Sequence, residues 1–282
     1  MAPTQTIRIG HKLMDFSKPR IMGILNLTPD SFSDGGLHNH PDRALDHAMS
    51  MLADGADLLD FGAASSRPGA ADVSEQEELD RLMPALEKIM ARAPHAVISV
   101  DTWRANVAEE ALRAGATIIN DITAAKGDER MAEVAVRWGA PLVLMHMQGT
   151  PQTMQQNPSY SDVVNEVAYF FSERINTLRL AGVRDIILDP GFGFGKTMSH
   201  NYTMAARFAE FGMFGLPMLA GVSRKRMLYE LTRTEPVDTV ASGAALHGHL
   251  LRSGAAILRV HDVREAAQSI AVHIALLGQQ DD

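Results

Sequence analysis

The chain has 282 residues with 26 Lys or Arg against 34 Asp or Glu, so its formal net charge at pH 7 is −8. A hydrophobic content of 46% argues against a disordered chain, and the apolar runs fall short of the roughly 20 residues of a membrane-spanning helix. The acidic balance argues against nucleic acid as a partner, and the absence of cysteine excludes disulfides and thiolate metal sites. Because the first residues also lack the apolar core of a signal peptide, we expect a cytoplasmic protein with no membrane partner.

The main pattern along the chain is an alternation of short apolar runs with longer segments of helical periodicity. Eight runs are nearly all apolar rather than alternating, which is typical of parallel strands covered on both faces. These predicted strands are residues 21–25, 56–59, 97–100, 117–119, 142–145, 186–188, 218–222 and 257–260.

The segments between the runs carry helix signals. Ser74, with Glu77 three residues later, forms a capping box that opens a helix predicted over residues 75–91. Pro84 inside that segment predicts either a kink or a shorter helix. Further helices are predicted over residues 104–114, 160–181 and 263–277.

The number of strand–helix units predicts the fold. Eight units in about 250 residues match the size of a (β/α)8 barrel, whereas a doubly wound sheet usually has fewer strands. Residues 6–14 alternate around Gly10 and predict a small hairpin at the bottom of the barrel. No linker or change of composition divides the chain, so residues 1–282 are expected to form a single domain. The predicted class is α/β: a (β/α)8 TIM barrel with a short N-terminal β-hairpin.

Polar or ionisable residues follow the predicted strands. Active sites of such barrels lie at the carboxyl ends of the strands, so these side chains are expected to converge on one mouth. Asp, Asn and Ser are also good helix N-caps, and capping is the favoured interpretation of Asp60 and Asp121 taken singly. Capping does not explain the whole set, because Arg and His are poor N-caps. The set is Asn26, Asp60, Asp101, Asn120, Asp121, His146, Asp189, Ser223, Arg259 and His261.

These side chains divide into two chemical groups. Carboxylates and amides suit a neutral ring with N–H donors, whereas cations suit phosphate. Arg259 and His261 are one residue apart on an extended strand and therefore point the same way. An alternative is that the cations neutralise the neighbouring carboxylates. The first group is Asp101, Asn120 and Asp189, and the second is Arg67, Lys225, Arg259 and His261.

Several motifs along the chain resemble those of one known enzyme family. Residues 26–36 read Asn-Leu-Thr-Pro-Asp-Ser-Phe-Ser-Asp-Gly-Gly, and residues 66–69 read Ser-Arg-Pro-Gly. These two segments resemble the first and second signatures of the dihydropteroate synthases. Residues 101–102, 119–122, 144–147, 189–196, 223–225 and 259–262 match the remaining motifs in order. The resemblance therefore covers the chain from Arg20 to the last helix.

The resemblance implies a reaction in which 6-hydroxymethyl-7,8-dihydropterin diphosphate and p-aminobenzoate give dihydropteroate and diphosphate, a step towards folate. Asn26 resembles the ligand of Mg²⁺, the implied cofactor, near the diphosphate. The residues that resemble the pterin-binding set are Asp101, Asn120, Asp189 and Lys225. Those that resemble the diphosphate-binding set are Ser66, Arg67, Arg259 and His261. Those that resemble the walls around p-aminobenzoate are Phe32, Pro68 and Phe194.

The chemistry of the family also implies which groups catalyse. No base is needed, because the aryl amine attacks with its free lone pair. Catalysis rests on helping the diphosphate leave and on stabilising the pterin-methyl cation. The residues expected to be catalytic are Lys225, Asp101, Arg259 and His261. The family is typically a homodimer, so a homodimer is expected here as well.

The sequence departs from the family pattern in two places. Residues 62–67 read Gly-Ala-Ala-Ser-Ser-Arg where the family usually has Gly-Gly-Glu-Ser-Thr-Arg. Arg226 stands where the family often has Ser, and it either binds the carboxylate of p-aminobenzoate or points away. The alternative function is a pterin-binding module or paralogue without turnover, similar to the methyltetrahydrofolate-binding barrels of corrinoid-dependent methyl transfer. Those barrels have no reason to keep a diphosphate cluster.

Overall fold

The computed structural model of the chain describes residues 5–27, 40–64 and 73–279. Four of the predicted site residues, Phe32, Ser66, Arg67 and Pro68, lie outside the described residues. The other predicted site residues all lie within them.

Eight strands of the described chain form one parallel sheet. Their bounds are β3 Arg20–Asn26, β4 Leu58–Gly62, β5 Val97–Asp101, β6 Ile118–Asp121, β7 Leu142–Met145, β8 Ile186–Asp189, β9 Leu219–Ala220 and β10 Ile257–Val260. The strand order is β8-β7-β6-β5-β4-β3-β10-β9. A parallel bridge from Leu188 to Met218 joins the two ends of this order, and Leu188 N donates to Pro217 O at 2.9 Å. The predicted (β/α)8 barrel is therefore confirmed, although β9 is shorter than the predicted strand over residues 218–222.

A two-stranded antiparallel hairpin precedes the barrel. Its strands are β1 Thr6–Ile9 and β2 Lys12–Asp15, with Gly10 in the turn at φ +56°. Ile7 and Ile9 are buried in one apolar cluster with residues at the amino-terminal ends of the barrel strands, such as Leu58 and Ile257. The hairpin therefore closes the bottom of the barrel, as predicted.

Helices connect the strands and cover the outside of the sheet. Within the described ranges they are α1 His40–Ala53, α2 Glu75–Arg92, α3 Ala105–Arg113, α4 Met131–Trp138, α5 Val163–Leu180, α6 Met198–Ala206, α7 Arg226–Thr232, α8 Val240–Arg252 and α9 Val263–Gly278. Buried apolar residues of these helices, for example Leu86 of α2 and Phe171 of α5, share one large core with outward-facing strand residues such as Leu59. Among the described helices, none is both long enough and apolar enough to cross a membrane.

Helix α2 runs unbroken through Pro84, so the shorter helix considered from the sequence is wrong. Proline removes the hydrogen bond to the carbonyl four residues earlier, which belongs to Asp80. Both residues are exposed, so we infer that water satisfies this carbonyl. At the start of the helix, Ser74 Oγ accepts from Glu77 N at 3.2 Å, as the capping box predicts. The Glu77 carboxylate pairs with Arg81.

Candidate active site

The register of the sheet brings three predicted site residues and Gly62 into one row at its carboxyl edge. Asn26 pairs with Gly62, Gly62 with Asp101, and Asp101 with Asn120. Residues in register on neighbouring parallel strands point to the same face. A Cβ at Gly62 would lie 3.7 Å from both Asn26 Oδ1 and Asp101 Oδ2. The missing side chain therefore leaves an open space between these two oxygens that is large enough for one Cβ at ordinary van der Waals distance.

Arg259 on β10 joins two of these strands through buried carboxylates. Its Nε donates to Asp60 Oδ2 at 2.6 Å, and its Nη2 donates to Asp101 Oδ2 at 2.9 Å. Asn120 Nδ2 donates to the same Asp60 oxygen at 2.9 Å. Because Asp60 is fully buried, a charged network inside the mouth ties β4, β5, β6 and β10 together.

Neither Asp60 nor Asp121 caps a helix, contrary to the interpretation favoured from the sequence. The predicted strand ended at residue 59, before Asp60, whereas β4 continues to Gly62 with Asp60 inside it. Asp121 accepts from Thr123 N at 2.7 Å and from Ala125 N at 2.8 Å. It therefore orders the turn after β6 rather than the first turn of α4, which begins at residue 131.

The contacts of Arg259 match the alternative in which the cations neutralise neighbouring carboxylates. Its role in binding diphosphate stays a prediction. His261 has a different neighbour: its Nδ1 lies 3.2 Å from Ser223 Oγ, and its backbone N donates to that oxygen at 3.2 Å. Ser223 is buried, and through these contacts its hydroxyl orients His261, one of the predicted diphosphate-binding residues.

Burial raises the pKa of Asp101 to about 7, with a further contribution from the negative charge of Asp60, while Arg259 opposes the shift. The folded protein therefore keeps a proton on Asp101 over a range in which an ordinary aspartate, with a pKa of 3.8, has lost it. Asp101 is placed to change its charge near neutral pH, next to the open space at Gly62.

The raised pKa of Asp101 predicts that the stability of the folded protein depends on pH. Because the folded state binds the proton more tightly than the unfolded state, the contribution of Asp101 to the free energy of unfolding is largest below pH 3.8 and falls until about pH 7. Asp101→Asn removes this decline. Urea denaturation gives the free energy of unfolding of the wild type and of Asp101→Asn from about pH 4 to about pH 8. The difference between the two free energies is expected to change with pH below pH 7 and to level off above it. A constant difference across the whole range would contradict the assignment.

The other half of the mouth contains Asp189, at the end of β8, and Lys225. Asp189 is buried, and its Oδ1 accepts from Gly191 N at 2.7 Å. Burial raises the pKa of Asp189, and the charge of Lys225 opposes this. Lys225 Nζ donates to Phe192 O and lies 4.9 Å from the centre of the Phe194 ring. Burial lowers the pKa of Lys225 to about 8, while Asp189 favours its charged form.

Two further residues depart from the expectations. Arg226 pairs with Glu230 one turn along α7, and its side chain is 65% exposed, so in this structure it points to solvent. Lys196 was not singled out from the sequence, yet it is 3% exposed and its Nζ lies 2.9 Å from His146 Nδ1. Its place at the end of a glycine-rich loop is the one sequence signal that marks it. His146, which follows β7, therefore contacts the loop that follows β8.

Comparison with known proteins identifies this arrangement. A family model described as pterin binding enzyme matches residues 22–261. Over 271 aligned residues, the chain is 46% identical to a dihydropteroate synthase from Escherichia coli strain K12, and the alignment covers 95% of each chain. The chain belongs to the dihydropteroate synthase family.

Solved structures of dihydropteroate synthases share the fold. A Yersinia pestis enzyme in a sulfonamide drug complex matches with a TM-score of 0.92 and 44% identity, covering 97% of this chain and 100% of the other. A Xanthomonas albilineans enzyme with 4-aminobenzoic acid matches with a TM-score of 0.91 and 39% identity, covering 97% and 98%. The resemblance inferred from the motifs is thus confirmed over nearly the whole chain.

Proposed function

We propose that this chain condenses 6-hydroxymethyl-7,8-dihydropterin diphosphate with p-aminobenzoate at the carboxyl-terminal mouth of its barrel. The observation that carries this assignment of the site is the register row at the mouth, in which Asp101 and Asn120 stand beside the open space at Gly62. Full-length likeness to dihydropteroate synthases favours this reaction over a pterin-binding module without turnover. The proposal takes residues 1–282 as one domain that works in the cytoplasm, which the lack of cysteine supports.

The pterin ring would be bound by a matched set of acceptors and one donor. Because Asn120 Nδ2 already donates to Asp60, its Oδ1 is the atom left to accept from a ring N–H. Asp101 and Asp189 supply carboxylate acceptors, and the Lys225 ammonium supplies a donor for the ring carbonyl. In its ionised form, which is favoured above its pKa of about 7, Asp101 also stabilises positive charge that develops on the pterin-methyl carbon.

The bond changes of the reaction need no general base. The nitrogen lone pair of p-aminobenzoate forms a bond to the methylene carbon of the pterin. The carbon–oxygen bond breaks, and its electron pair leaves on the diphosphate oxygen. The nitrogen then releases one proton to solvent. Arg259 and His261, together with Ser66 and Arg67 from the second signature, are proposed to bind the leaving diphosphate, and Phe32, Pro68 and Phe194 to enclose the aryl ring.

The residues at the mouth fit Mg²⁺ delivered with the substrate. Among the described residues, no group of three or more His, Cys, Asp or Glu side chains forms a metal site. Mg²⁺ commonly takes one or two protein oxygens and completes its coordination with phosphates and water. Asn26 Oδ1, which borders the open space at Gly62, would be the protein ligand. When bound, the ion supplies positive charge that stabilises the leaving diphosphate.

The same proposal includes a homodimer and a response to sulfonamides. Val272, Leu276 and Leu277 are exposed on α9, and they line a surface depression together with Gly248 of α8 and three polar side chains. Exposed apolar side chains grouped in this way are typical of a subunit contact. The Yersinia pestis relative has been solved in a sulfonamide drug complex, which supports the proposal that this chain also responds to such drugs.

Two measurements test the proposed reaction. Calorimetry with the pterin diphosphate and Mg²⁺ is expected to show saturable binding, and 6-hydroxymethyl-7,8-dihydropterin without the diphosphate serves as the control for the anion contribution. A diphosphate-release assay is then expected to show turnover that requires p-aminobenzoate. Binding without release would favour the pterin-binding module instead.

A further inference from the structure

Residues 191–196, which we call the glycine loop, follow β8 and have an unusual pattern of hydrogen bonds. Five successive backbone carbonyls of this loop each accept from a side chain. Gly191 O and Phe194 O accept from Lys196 Nζ at 3.0 Å each, Gly193 O from Gln155 Nε2 at 2.6 Å, Gly195 O from Tyr160 Oη at 2.8 Å, and Phe192 O from Lys225 Nζ. Carbonyls outside helices and sheets need such partners when they are buried. Side-chain donors therefore hold this backbone in place, because within the described residues it has no hydrogen bonds to a neighbouring strand.

The glycines let the loop lie directly against the segment after β7. A Cβ at Gly191 would lie 2.0 Å from His146 O, and a Cβ at Gly195 would lie 2.6 Å from Gln148 O. Both glycines have positive φ, at +71° and +62°. The backbone thus adopts a conformation that favours glycine, and it depends on the side chains that bind its carbonyls.

Lys196 is the centre of this arrangement. Lys196 Nζ has acceptors in Gly191 O, Phe194 O and His146 Nδ1, with His146 O further away at 3.3 Å. Burial lowers the pKa of Lys196 to about 7, and its charged form has three donors for these acceptors. Burial and the charge of Lys196 lower the pKa of His146, so the imidazole is neutral and accepts at Nδ1. The proposed reaction gives Lys196 no task, so its burial calls for another explanation.

The glycine loop contacts two residues of the proposed site. Phe192 O binds the ammonium of Lys225, and the Phe194 ring lies beside that same ammonium. A change in the loop backbone would therefore move the donor assigned to the pterin and the ring assigned to p-aminobenzoate together.

We propose that Lys196, together with Gln155 and Tyr160, is a positioning residue that holds the glycine loop in the conformation that binds p-aminobenzoate. This inference rests on the proposed function through the assignment of Phe194 to the aryl site. When only a fraction of the protein has the competent loop conformation, the apparent dissociation constant rises by the inverse of that fraction. A loosened loop therefore raises KM for p-aminobenzoate, whereas a partly unfolded sample lowers only the apparent kcat.

The test compares three variants with the wild type at saturating pterin diphosphate. Lys196→Met removes the central donor, and a double variant, Gln155→Ala with Tyr160→Phe, removes two outer donors without emptying the core. Gln156→Ala is the matched control, because this exposed side chain hydrogen-bonds to none of the described residues. We expect KM for p-aminobenzoate to rise about tenfold in Lys196→Met and about threefold in the double variant, the ratios expected if the competent fraction falls to roughly a tenth and a third. The control is expected to match the wild type.

An unchanged KM in the double variant would overturn the proposal, and this variant decides the matter if Lys196→Met does not fold. Hydrogen exchange of the amides of residues 191–196 gives a readout that does not depend on turnover. Faster exchange in the variants, with the rest of the barrel unchanged, is expected, and unchanged exchange would overturn the proposal. If the wild type shows no diphosphate release, the proposed function fails, while the exchange measurement still decides the role of Lys196.

Discussion

Arg259→Met is expected to lower the free energy of unfolding by about 3 kcal/mol or more, because it leaves buried carboxylates without their counter-charge. Asp60 is fully buried and Asp101 is largely buried, and both carboxylates bind this guanidinium. Asp60 Oδ1 already lacks a hydrogen-bond partner among the described residues. Urea or thermal denaturation measures the loss.

Two further variants separate the buried charge from other causes of this loss. Adding Asp60→Asn to Arg259→Met removes the uncompensated charge and is expected to restore part of the stability. Arg137→Met is the surface control, because Arg137 pairs with Glu109 and Glu133 while 54% exposed, and little change is expected. If Arg259→Met were as stable as this control, the network would not hold the mouth together.

Lys225→Ala is expected to lower kcat/KM at least tenfold, which corresponds to about 1.4 kcal/mol of transition-state stabilisation. The Lys225 ammonium donates to Phe192 O, lies beside the Phe194 ring and is favoured in its charged form by Asp189. Its pKa of about 8 leaves it mostly charged at neutral pH, so the variant removes a charge as well as a donor.

The control for this prediction is Lys88→Ala. Lys88 is an exposed lysine of α2 that pairs with Asp42, and its removal is expected to leave turnover unchanged. Steady-state kinetics on both variants, with folding checked by circular dichroism, make the comparison. A folded Lys225→Ala protein with the wild-type rate would show that Lys225 is not part of the site.

The barrel could be predicted because its signal is local and repeated. Each apolar run is short and bounded, and eight such runs suffice to indicate the fold. The carboxyl ends of the strands were less predictable, and β4 shows why. Asp60 interrupts the apolar run, yet the strand continues because Arg259, 199 residues away in sequence, satisfies its carboxylate. A local sequence pattern does not indicate a contact between two residues so far apart in the chain.

The candidate site was predicted in its residues but not in its contacts. The motifs identified Asp101, Asn120 and Arg259, whereas their shared network through Asp60 requires the register of four strands. Lys196 was missed for a related reason. Its role follows from the backbone conformation of the glycine loop, which turns carbonyls towards its ammonium, and the residue type alone does not indicate this.

The most direct test of the proposed site is a crystal structure of this protein with 6-hydroxymethyl-7,8-dihydropterin diphosphate bound. We expect the ring in the mouth of the barrel, with its N–H groups donating to Asp101, Asn120 Oδ1 and Asp189, and with Lys225 donating to its carbonyl. A ring bound elsewhere, or one that accepts from Asn120 Nδ2 in place of Asp60, would contradict the assignment.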